Sequence, residues 1–184
     1  MGVSNRLQRT PRLRLGFNAG VFGARSLSRD VMPKEDVAAQ IEAAFADTPS
    51  PGTEYDDISA TKYDDEGIVD YFRGTTWRGH RVQDLRRHEA AMSFFTDKAF
   101  RYWLPAFMLA ELEDPEAADV IGEGIAFHLT KGESADARLQ QFAQDELKAI
   151  AAFLDECARR YADGIYDVHF RKAESAVRAR LREE

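Results

Sequence analysis

A single cysteine, Cys157, stands in the whole chain, so no internal disulfide can form and nothing marks a secreted, stapled fold. Long apolar runs are equally scarce. The longest, Trp103 to Ala110, spans eight residues and contains Pro105, whereas a membrane-spanning helix needs roughly 20. The signatures of common chemistries are missing as well. There is no G-x-S-x-G nucleophile turn, no G-x-x-x-x-G-K or G-x-G-x-x-G phosphate loop, and no His-x-x-x-His or HExxH spacing among His80, His88, His128 and His169. The Gly122-Glu123-Gly124 run reads as a turn signal. No cofactor and no metal is expected from these residues.

What is present is globular: 184 residues, 44% hydrophobic and 31% charged, enough for one ordinary domain. The net charge of −7 hides an asymmetry. Residues 1–29 carry six arginines (Arg6, Arg9, Arg12, Arg14, Arg25, Arg29) and neither lysine nor carboxylate, which leaves 19 basic against 32 acidic residues and −13 over residues 30–184. An acidic body repels phosphate backbones, so it is not expected to bind nucleic acid. Residues 1–31 stay open to three readings: a flexible basic arm or leader, an organelle-targeting peptide, or an arm for a polyanion.

From residue 32 onward the periodicity is helical. Val37, Ile41, Ala44 and Phe45 form one stripe after Pro33, and Thr48 to Gly52 ends it. Glu54 to Asp65 reads as an acidic surface loop, followed by a short helix over Asp65–Phe72 closed by Gly74. A helix is predicted over His80–Phe95. Thr96 is placed to cap the next, with Phe95 and Phe100 in the positions of a hydrophobic staple and a kink expected at Pro105. Asp114-Pro115 stops that helix. Ile125, Phe127 and Leu129 alternate with small or polar neighbours, which suits a short extended segment over 125–129. Leu139 to Tyr161 and Val168 to Leu181 read as the last helices. The expectation is an all-α single domain of five or six helices over residues 32–184.

Nine of the 20 aromatic residues crowd between Tyr71 and Phe107, interleaved with arginines. The runs Y-F-R-G-T-T-W (71–77), L-R-R-H-E-A-A-M-S-F-F-T (85–96), A-F-R-Y-W-L-P-A-F-M-L (99–109) and F-A-Q-D-E-L-K-A-I-A-A-F-L (142–154) resemble the signature of a bacterial domain-of-unknown-function family. The resemblance covers roughly residues 35–180. It implies a shared helical fold and carries over no catalytic residue.

Two constellations merit chemical attention. Asp84 and His88 sit i, i+4 with Glu89 adjacent, an acid–base arrangement or else an ordinary helix pair. Arg73, Trp77, Arg86, Arg87, Arg101 and Tyr102 suit an Arg–aromatic patch for a carboxylate-bearing partner, unless the arginines brace helices by pairing with Asp70, Asp84, Glu89 and Asp97. Cys157 falls on an apolar helical stripe, where a thiol acts as a small hydrophobe. The reading that follows is a soluble cytoplasmic bacterial helical domain that binds another protein without catalysis, an immunity-type protein being one concrete version. The alternative is a small hydrolase or ligand-binding protein using Asp84, His88 and Glu89.

Overall fold

The computed structural model describes residues 32–64, 66–130, 134–162 and 164–183; the basic arm over 1–31 lies outside them. Residues 32–184 form one compact unit. The regular elements among the described residues are all helices, the only strand-like pairing being an isolated bridge between Ser59 and Phe95.

Helix α6 (Asp97–Glu113) sits at the centre because it is apolar on nearly every side. Phe100, Trp103, Leu104, Phe107, Met108 and Leu112 are all buried, and so is Tyr102. Thr96 caps it as expected, its Oγ1 accepting from the Ala99 amide at 3.1 Å. The helix runs on through Pro105 to Glu113. Asp114 then caps α7 (Pro115–Ala118), accepting from the Ala117 amide at 3.1 Å.

Around α6 pack α1 (Lys34–Ala44), α2 (Tyr55–Ile58), α4 (Val82–Arg87), α7 and α8 (Ile121–His128). Phe72, Phe95, Trp103 and Phe107 interlock at centroid separations between 4.9 and 6.5 Å, Phe95 stacked on Trp103 and the other pairs edge-on or tilted. Helices α10 (Gln144–Arg160) and α11 (Asp167–Leu181) lie along each other, and α10 also supports α1. Cys157 is fully buried, and burial pushes its thiol well above the usual range.

The all-α class stands, but the count does not: eleven helices occur among the described residues, not five or six. Short helices and breaks account for the excess. The acidic stretch after Gly52 holds α2, where the Glu54 amide donates to Asp57 Oδ2 and Ile58 turns into the core. The expected helix over His80–Phe95 is two, α4 and α5 (Ala91–Phe94). At the break His88 ends α4, its ring Nδ1–H donating to the Asp84 carbonyl that also accepts its own amide. The long C-terminal pattern also divides, into α9 (Ser134–Leu139) and α10. Glu146 accepts the Ala143 amide and founds a new helix start.

The extended segment expected over 125–129 is helical instead, within α8 and its C-terminal turn. The deciding spacing is i, i+4: Ile121, Ile125 and Leu129 are buried, whereas Phe127 is 45% exposed. An alternating strand would have buried Phe127 with its neighbours. Gly74, at φ 71°, closes α3 (Ile68–Phe72) as its sequence position suggested.

Candidate functional site

A concavity of about 420 Å³ opens between α1, α6 and the loop from Trp77 to His80. Each wall follows from helical spacing. Val37 and Ile41 on α1, and Phe45 just after it, are buried in the core, which leaves Glu35, Ala38 and Glu42 (i, i+3, i+7) on the cleft side. On α6, Ala106, Leu109, Ala110 and Glu113 repeat the same spacing. Lys34 Nζ reaches the Leu112 carbonyl at 3.5 Å, joining the start of α1 to the end of α6. The floor is therefore small and apolar, and the rim carries Glu35, Glu42 and Glu113 together with the cations Lys34 and Arg78. None of these three carboxylates has an ion-pair partner among the described residues.

The third wall is the loop. Trp77 is only 2% exposed, packed into the core, and the Arg78 guanidinium lies over its ring at 3.8 Å. His80 is pinned at both nitrogens: Nε2–H donates to the Thr76 carbonyl at 2.7 Å, so Nδ1 accepts the Tyr71 hydroxyl at 2.9 Å. Burial lowers its pKa, and the ring stays neutral. Behind it the Tyr71 ring stacks on His88 at 4.1 Å. His80 is thereby a fixed wall of the cleft.

The acid–base trio is arranged differently from a catalytic relay. The Asp84 carboxylate faces Arg81 (2.8 and 3.2 Å) and Arg87 (3.5 Å), and the Arg81 hydrogen bonds hold it below the usual range. His88 bonds the backbone carbonyl of Asp84, not its carboxylate. Glu89 lies 3.8 Å from Arg86.

Of the six Arg–aromatic residues, Trp77 alone lines the cleft. Arg73 sits 3.8 Å from Asp70 on an exposed turn, and Arg86 makes its closer pair with Asp119 at 2.7 Å. Arg101 grips the buried Glu146 through Nε and Nη2 at 2.8 to 3.1 Å, with Thr48 and the Ala143 amide completing that carboxylate. Asp97, one acid offered as a brace, pairs with Arg138 instead. Tyr102 is buried with its ring edge-on to Trp103. Five of the six thus serve separate places in the fold.

Sequence reading missed the acidic rim, although the Glu35, Ala38, Glu42 spacing was visible. It also missed His80, whose role depends on the fold bringing Thr76 and Tyr71 to it. Among the described residues, no group of three or more His, Cys, Asp and Glu side chains is placed to hold a metal ion, and no helix is long and apolar enough to cross a membrane.

Residues 33–175 match the model of DUF6714, a family of unknown function. No curated protein and no solved structure matches the chain.

Proposed function

Given that the chain belongs to the DUF6714 family, whose function is unknown, we propose that residues 32–183 serve as a non-catalytic protein-interaction module. The binding face in this reading is the cleft between α1, α6 and Trp77–His80. Its occupant is a short partner segment that presents an apolar side chain flanked by basic ones. One observation carries the reading: an apolar floor of about 420 Å³ is rimmed by three carboxylates without ion-pair partners among the described residues, against two cations, Lys34 on the Leu112 carbonyl and Arg78 over the Trp77 ring. Apolar burial supplies affinity, and the unpaired rim supplies sign selectivity and a fast encounter. The surplus acid of the body extends the same attraction outward.

The hydrolase alternative finds less support in the geometry. The carboxylate that would orient His88 is engaged by two arginines, and the imidazole is held by a backbone carbonyl.

The test is fluorescence anisotropy with two labelled peptides of equal length, one alternating leucine with arginine and one leucine with glutamate. The basic peptide should bind, more weakly as salt rises. A Glu35→Lys/Glu42→Lys variant, altered only at exposed positions, should lose that binding while keeping its melting temperature. Equal binding of both peptides, or an unaffected variant, would contradict the reading.

A further inference from the structure

We propose that a second, smaller cavity, at the junction of α6, α8, α10 and α11, binds an organic ammonium group, primary or methylated, against the buried carboxylate of Glu111. This cavity shares no lining residue with the cleft, so the proposal stands independently of the interaction reading. It holds about 80 Å³, which at roughly 30 Å³ per water suits the head of an alkylamine and little more.

Its chemistry is unusual for a protein interior. Glu111 is 0% exposed on the inner side of α6. Room for it exists because residue 122 is glycine: a Cβ there would come within 2.9 Å of the Glu111 Cδ. The Gly122 amide donates to Oε2 at 3.2 Å and the Tyr161 hydroxyl to Oε1 at 2.9 Å. Both donors are neutral.

Arg160, the cation that reaches Glu111 among the described residues, is shared. Its Nη1 donates to the Glu111 backbone carbonyl at 3.0 Å and reaches the carboxylate only at 3.7 Å, while Nη2 lies 3.4 Å from Glu156. Burial accordingly holds the Glu111 carboxyl above its ordinary range despite all three partners. The carboxylate is therefore under-compensated, and a cation in the cavity would complete it.

The remaining walls suit such a cation. Tyr161 and Phe170 lie nearly parallel at 5.5 Å, and Tyr166 lines the cavity beside them. Aromatic rings with a carboxylate are the chemistry that recognises alkylammonium heads. Glu123 adds a carboxylate at the lining, 3.2 Å from His169 Nδ1. Asp119, by contrast, is spent on Arg86.

The experiment is an NMR titration of the full chain, read at the Gly122 amide that bonds Glu111. The probes are n-butylammonium chloride, n-butanol and sodium chloride. Butylammonium alone should shift Gly122 saturably, and both Glu111→Gln and Tyr166→Ala should weaken binding about tenfold or more. Tyr166 is exposed, so its variant keeps the test valid if Glu111→Gln fails to fold. A parallel titration with Nα-acetyl-lysine methylamide, plain and trimethylated, separates the two sources: tighter binding of these assigns the site to a lysine side chain, and equal or weaker binding to a free amine. A linear response to butylammonium, an equal response to butanol, or an unaltered Tyr166→Ala affinity overturns the proposal.

Discussion

The Tyr161 hydroxyl donates to Glu111 Oε1 at 2.9 Å, tying the last turn of α10 to a carboxylate that α6 carries inside the core. Burial raises the folded-state pKa of Glu111. The folded chain thus binds this proton more tightly than the unfolded chain. The penalty for ionising it is absent below the unfolded value, near 4.3, and complete above the folded one. Urea unfolding of wild type and Glu111→Gln across pH should show the variant gaining on the wild type as pH rises from about 4. Parallel curves would refute this account of Glu111.

Removing the other end of that bond has a simpler consequence. Tyr161→Phe leaves Oε1 without its hydroxyl donor in a buried place, at a cost of about 1–3 kcal/mol. Thermal melts at pH 7 measure it, and a change below about 0.5 kcal/mol would mean that the hydrogen bond is not formed.

Arg101 and Arg73 should part company. Arg101→Ala strands Glu146, which is 2% exposed, and breaking such a buried pair costs about 3–5 kcal/mol. Arg73 and Asp70 are exposed and 3.8 Å apart, so Arg73→Ala should fall within about 0.5 kcal/mol of wild type. Similar melting temperatures for the two variants would contradict the assignment.

His128 gives acid sensitivity. Burial lowers its pKa to about 4, so the unfolded chain takes up a proton between roughly pH 6.5 and 4 that the folded chain refuses. Stability is then lost as pH falls through that window. His128→Gln should flatten that part of the profile in urea unfolding, and an unchanged slope would locate the sensitivity elsewhere.

Much of the fold was legible in the sequence, for identifiable reasons. The α1 stripe, the Thr96 cap, the Asp114-Pro115 stop and the Gly74 closure are local, set by spacing and backbone preference within a turn or two. The breaks were not legible, because each depends on one side chain choosing a backbone partner. His88 takes the Asp84 carbonyl, and Glu146 takes the Ala143 amide. The segment over 125–129 fits alternation and i, i+4 spacing equally until a core exists to bury Ile121, Ile125 and Leu129 together. Among the site residues only Trp77 was anticipated. The cleft is made by facing helices far apart in sequence, so Glu35 and Glu113 carry no mark of their shared rim.

The central claim, that the cleft is a recognition surface for a basic, apolar segment, is tested most directly by mapping amide shifts of the full chain titrated with the leucine–arginine peptide. The account predicts saturable shifts concentrated at Glu35, Ala38, Glu42, Gly79, Leu109 and Ala110, with Trp77 fluorescence changing as Arg78 moves from its ring. Shifts centred instead on Arg73, Arg86 and Arg87, or no saturable shift at all, would contradict it.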